Sequence, residues 1–153
     1  MGKPDRGFTL VEIMAVMVIL AALAAMAVPR VMASSDMARR NADMATARQI
    51  KSALDRYQVE NGVYPKLDTD MRASNGAVTA AGFIPKYISK LDASTTQQIG
   101  GTLSPGFEVA NLPSDWNSYT PQHVIAIFLK ADGSAGEVRA YDTSGALLWT
   151  SAE

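Results

Sequence analysis

Gly7-Phe8-Thr9-Leu10-Val11-Glu12-Ile13-Met14 opens the stretch that decides the fold. From Ile13 to Val28 every side chain is apolar, and the run ends at Pro29-Arg30. With Phe8 to Val11 ahead of it the segment is about 21 residues, close to the ~20 that carry a helix across a bilayer core. Glu12 is the anomaly. A carboxylate inside such a segment costs roughly 2.5–3.5 kcal/mol on insertion scales, and one kept there generally has a partner. Met1 to Gly7, ahead of the segment, is short and polar, with Lys3 and Arg6 against Asp5.

Three readings compete for this segment. A cleavable secretory signal would use the basic start, the apolar middle and Ala25-Met26-Ala27 as its small-residue cut site. Glu12 at the head of the run and Pro29 just past the cut both argue against it. A plain signal anchor accounts for the length and leaves Glu12 unexplained. The third reading is a resemblance. Gly7-Phe8-Thr9-Leu10-Val11-Glu12 resembles the processing site of type IV prepilins and type II secretion pseudopilins, and the likeness extends from Arg6 to Pro29. It implies cleavage between Gly7 and Phe8 by a prepilin peptidase and N-methylation of the new Phe8 amine. It also implies an assembly role for Glu12, which meets the amine of a neighbouring subunit, and a helix kink at Pro29. Lys3 and Arg6 precede the segment while Arg30, Arg39 and Arg40 follow it, so charge bias alone does not orient it. The resemblance implies a cytoplasmic leader and a periplasmic C-terminal part.

Beyond Pro29 the helical pattern continues. Ala47, Ile50, Leu54 and Tyr57 recur at three- and four-residue steps and form one apolar face, while Arg48, Lys51 and Asp55 fall elsewhere. Asn61-Gly62 is a C-terminal stop and Pro65 forbids continuation. The stretch Glu60-Asn61-Gly62-Val63-Tyr64-Pro65 also resembles the family, where a similar Asn-Gly-x-Tyr-Pro stretch closes the long helix. Residues 62–106 are rich in Ser, Thr, Gly and Asp and read as a connecting loop. Within them Phe83, Ile84, Tyr87, Ile88 and Leu91, with Pro85 in the first turn, predict a short amphipathic helix. Val124–Leu129, Glu137–Tyr141 and Ala146–Thr150 read as antiparallel strands separated by Asp132-Gly133 and Asp142-Thr143-Ser144-Gly145 turns, with a fourth strand near Phe107–Val109. The expectation is an α+β, pilin-like fold, a long N-terminal helix packed on a small antiparallel sheet. It divides as a leader over 1–7, a membrane-spanning and filament-core helix over 8–29, and a globular part over 30–153. That last part has an outer helix 30–61, a loop 62–106 and a sheet over about 107–151.

Lys and Arg total 14 against 15 Asp and Glu, a balance that argues against a nucleic-acid surface carried by bulk charge. There is no cysteine, which excludes disulfides, thiol nucleophiles and thiolate metal sites. His123 is the single histidine and reads as structural. Asp132-Gly133 and Asp68-Thr69-Asp70 faintly suggest calcium, but neither has a full loop spacing and both read better as turns. Trp116 and Trp149 read as core or subunit contact. No catalytic set or phosphate loop appears, so neither enzyme activity nor a cofactor is expected.

The reading favoured by these residues is a structural subunit of a type IV pilus-like filament, polymerising with itself through its N-terminal helix. Its expected partners are the prepilin peptidase, an inner-membrane assembly platform and the membrane. It would reside as a single-pass inner-membrane pool and then in a periplasmic or cell-surface filament. The major pseudopilin of type II secretion is the alternative. Neither the calcium-binding C-terminal loop of that pseudopilin nor the cysteine pair of many type IV pilins has a counterpart here. A tethered or released periplasmic binding protein is the remaining rival and would need a pocket of convergent polar groups. Cleavage is expected between Gly7 and Phe8, and the intact mass of the membrane-extracted protein checks it. A mature chain beginning at Val28 would establish the ordinary signal peptide instead.

Overall fold

The computed structural model describes residues 9–152. The chain divides into two compact units, Met1–Met37 and Ala38–Glu153. Helix α1 is Leu10–Asn61, with Pro29 inside it. Proline has no N–H to give the carbonyl one turn back, so that position contributes one backbone bond fewer. Gly62 ends the helix at φ 80°, and its N–H donates to the Gln58 carbonyl at 2.7 Å. Glycine adopts this left-handed geometry without steric cost, so Asn61-Gly62 stops the helix where expected.

In the second unit the strands are β1 (Arg72–Ser74), β2 (Ala77–Thr79), β3 (Ser104–Asn111), β4 (His123–Leu129), β5 (Gly136–Tyr141) and β6 (Leu147–Thr150). β1 and β2 form a hairpin, and the others form one sheet in the order β3-β4-β5-β6. β4, β5 and β6 are antiparallel neighbours, as expected, but β3 lies parallel to β4. A parallel pair cannot close with a tight turn, so residues 112–122 must travel back along the sheet. Trp116 and Tyr119 in that segment pack edge-on against Phe128 of β4, at 4.9 and 4.8 Å between ring centroids. The other face belongs to α1. Ile125, Ala140 and Trp149 are register partners on that side, and Arg48 of α1 lies over the Trp149 ring. Covered on both faces, Val124 to Leu129 has no solvent exposure at any residue, which is why β4 reads as an unbroken apolar run rather than an alternation.

The expected apolar face of α1 is in place. Ala47, Ile50 and Leu54 are fully buried and Tyr57 packs against the same core. Each buried Ile or Leu contributes about 1.5–3 kcal/mol, and packing of this kind must hold a chain without disulfides. Two expectations over residues 62–106 are corrected. The supposed loop contains the β1–β2 hairpin, with Asn75 and Gly76 at φ 51° and 76°. These are the two positive angles that a two-residue hairpin turn needs, and Asn-Gly is its strongest short signal. The amphipathic helix over Phe83–Leu91 does not form. Phe83, Tyr87 and Leu91 are buried as their periodicity requires, but the backbone passes through turns, and the Leu91 carbonyl accepts from Val78 N–H at 2.8 Å. A helix this short is marginal unless packing favours it. Here the packing is a Tyr57–Phe83–Tyr87 ring cluster, with centroids 5.4–6.0 Å apart, which turns satisfy equally well.

A fully buried carboxylate completes this unit. Asp43 of α1 has no solvent exposure. It accepts from Gln97 N–H at 2.7 Å, Gln98 N–H at 3.0 Å and Gln98 Nε2 at 3.1 Å, and Gln98 Nε2 also donates to the Tyr141 carbonyl. A carboxylate buried with such donors is satisfied, and removing it would leave them orphaned. The segment from Met32 onwards, expressed alone, is expected to be a soluble monomer by analytical ultracentrifugation; stable oligomers would mean that this unit drives assembly by itself. In that fragment Asp43→Ala is expected to lower stability by about 1–3 kcal/mol in urea titration, the cost of leaving buried donors unpaired.

Candidate functional site: the head of the long helix

The first turn of α1 is held by one reciprocal contact. Thr9 precedes the helix, and its hydroxyl accepts from the Glu12 N–H at 3.2 Å. Glu12 Oε2 in return accepts from Thr9 N–H at 2.9 Å and from the Thr9 hydroxyl at 3.0 Å. This is a capping box, in which two backbone donors that a helix N-terminus leaves orphaned are satisfied together. The Ile13 N–H to Thr9 carbonyl bond, 3.3 Å, closes the turn. Glu12 is therefore not merely an acid stranded in an apolar run. Its carboxylate folds back on its own chain at the end where the helix dipole favours negative charge. The Thr-x-x-Glu spacing of Thr9 and Glu12 is the signal for this box, and the sequence reading above did not use it.

Behind this turn the helix carries no cover of its own. From Leu10 to Val28 the large apolar side chains are 47–75% exposed, on a helix long and apolar enough to cross a membrane. Exposure on this scale exceeds what a soluble protein tolerates as one patch and marks a surface awaiting lipid or protein. Gly7 and Phe8, the residues of the expected cleavage and methylation, lie outside the described residues. Pro29 lies inside α1, 17 residues after Glu12.

The remaining candidates serve the fold. Asp132 Oδ1 accepts from Ser134 N–H at 2.9 Å, and Asp70 Oδ2 accepts from Lys66 N–H at 2.9 Å, so both carboxylates brace turns. Asp68 stands at φ 61° and pairs with Arg72. Among the described residues no group of three or more His, Asp or Glu side chains converges. His123 begins β4, with its ring edge against Gly76, where an added Cβ would come within 3.4 Å. Trp116 and Trp149 are half-buried, the first on the 112–122 side of the sheet and the second on the α1 side. Asp43, also missed, did carry a signal, since it is an acid at the head of the stripe 43-47-50-54.

Comparison with known proteins agrees with this geometry. The prokaryotic N-terminal methylation motif matches residues 2–28. The type II secretion system core protein G of Klebsiella pneumoniae is 39% identical over 107 residues, covering 67% of this chain and 76% of the relative. That of Escherichia coli K12 is 33% identical over 107 residues, covering 67% and 74%. The same-named protein of Pectobacterium carotovorum is 40% identical over 72 residues, covering 47% of this chain and 46% of the relative. Against that protein and several others the chain spans about half the length of the relative. No solved structure matches. The chain belongs to the pilin and pseudopilin family that contains the type II secretion system core protein G.

Proposed function

We propose that the chain is the repeating subunit of a type II secretion pseudopilus. The observation that carries this reading is the length of the relatedness. A methylation motif over residues 2–28 suits pilins and pseudopilins alike. A match over 107 residues to a secretion core protein must run far into the globular unit, where the two classes differ. It moves the balance from the pilus, which the sequence reading favoured, to the pseudopilus.

The proposed path follows from the physical state of α1. The precursor inserts by its apolar run. Prepilin peptidase hydrolyses the Gly7–Phe8 bond on the cytoplasmic side, and the new Phe8 amine is methylated. An inner-membrane platform then draws the subunit into a polymer, where other helices replace lipid around the run. Ala15, Ala21, Ala22, Ala24 and Ala25 let helices approach closely there. The contact must be heterologous and non-closing for a filament to grow. Cleavage places a cationic amine about one turn from Glu12, and in an apolar medium either charge alone is penalised heavily. The Thr9 contact keeps Glu12 satisfied while it waits. Exchange of that contact for a neighbour's amine would register one subunit on the next. No cofactor is proposed.

Deleting the gene is expected to trap exported proteins in the periplasm while leaving surface pili intact; loss of pili with normal export would restore the pilus reading. For Glu12, the variants Glu12→Leu and Glu12→Gln are expected to insert normally and polymerise poorly. Sheared filaments are counted against membrane subunit levels in a strain lacking the native protein. Wild-type yield from Glu12→Leu would remove the registration role.

A further inference from the structure

The outward side of α1 in the second unit carries Arg48, Ser52, Arg56 and Val59 at three- and four-residue steps, all exposed, with Val59 at 82%. An open groove of about 510 Å³ runs between this ridge and Trp149 of β6. A second of about 270 Å³, reaching Tyr87 and Ile88, flanks the other side. The charges here do not cancel. Lys51 pairs with Asp55, and Lys86 holds Glu60 at 2.7 Å. Arg48 stands over the Trp149 ring at 5.7 Å and Arg56 donates to the Tyr87 carbonyl at 2.7 Å. Among the described residues neither guanidinium has a carboxylate within 4.0 Å, although Arg56 acts on Glu60 at longer range, so the cations named here outnumber the carboxylates and the described residues leave this face net positive.

The far side of the same sheet has the opposite sign. Glu108, Asp115 and Glu137 lie on or beside the 112–122 segment, where Arg139 pairs with Glu137 and lies over the Trp116 ring. Asp115 is exposed; its carboxylate accepts from Asn117 N–H at 2.9 Å and its backbone carbonyl from the Ser118 hydroxyl at 2.9 Å, and among the described residues it is in no ion pair. Other turn carboxylates differ: exposed Asp68 has Arg72, half-buried Asp92 has Lys90, and exposed Asp132 feels Lys130.

We propose that the ridge and its β6-side groove receive the 112–118 segment of a second copy of this chain, with Asp115 facing Arg48 and Arg56. The proposal rests on the filament reading and adds a contact between globular units. Because the two surfaces lie on opposite sides of one sheet, the contact is heterologous. Each added copy leaves one surface free, which extends a chain instead of closing a dimer. Rim charges of this kind supply register and partner choice more than affinity, so the isolated unit stays monomeric while the polymer uses the contact.

The absence of native cysteine makes cross-linking selective. Ser52→Cys and Asn117→Cys replace two exposed, uncharged residues, and are placed together in the full-length chain. After mild oxidation, sheared filaments are expected to run as a ladder of trimers and higher species on a non-reducing gel, with neither single variant laddering. Filaments at wild-type yield that remain monomeric on the gel would overturn the proposal, and so would a product that stops at dimers. If the wild-type chain forms no filament, the filament reading itself falls, a result the gel keeps separate. Should the double variant fail to assemble, charge reversal decides. Arg48→Glu with Arg56→Glu is expected to cut filament yield at least tenfold, and adding Asp115→Lys to restore it. An unchanged yield, or no restoration, would contradict the contact.

Discussion

An apolar run whose side chains stand exposed among the described residues is the constraint on which this protein depends. From Ile13 to Val28 no polar side chain interrupts the helix, and the span stands uncovered. Water is excluded as a lasting environment, because exposed apolar area of that extent is removed by association or by lipid. Lipid and the helices of other copies are equally apolar. The same surface can therefore pass from one to the other with little net change in hydrophobic free energy. What distinguishes the two states is polar. In lipid, a carboxylate at the head of the helix needs a local partner. Thr9 provides one for Glu12 through two hydrogen bonds to its Oε2.

The second unit has a buried core of its own. Its sheet is covered by α1 on one face and by the 112–122 segment on the other, so the central strand needs no further partner. Asp43 ties the loop at Gln97 and Gln98 to the helix from a fully buried position. Tyr64 supplies a second tie: its hydroxyl donates to Asp55 at 2.9 Å, and its ring lies so close to Gly136 that a Cβ there would come within 2.9 Å. With no cysteine in the chain, these polar ties and the shared core do the work that disulfides do in many exported domains.

Much of this was legible in the residues. The apolar run, the Asn61-Gly62 stop, the 47-50-54 stripe and the three antiparallel strands each have a local cause that sequence displays. The parallel β3–β4 pairing does not. Parallel partnership is decided by where residues 112–122 travel, which depends on Trp116 and Tyr119 finding Phe128, a tertiary event. The 83–91 segment misled because burial periodicity is shared by helices and by successive turns that place aromatic rings on one core. At the candidate site, Glu12 stood out as an acid in an apolar run, but its pairing with Thr9 needed the capping spacing to be read. Charge imbalance between the two sides of the globular unit was hidden altogether, because it appears only once the sheet separates Arg48 and Arg56 from Asp115.

The central claim is that this chain assembles through residues 10–28 with its globular unit outside. Electron cryomicroscopy of the sheared filament tests it most directly. The account predicts a central bundle of helices built from those residues, with the four-stranded sheet at the periphery of each subunit. A filament whose axis is formed by the globular units, with the apolar helices cleaved or pointing away, would contradict it.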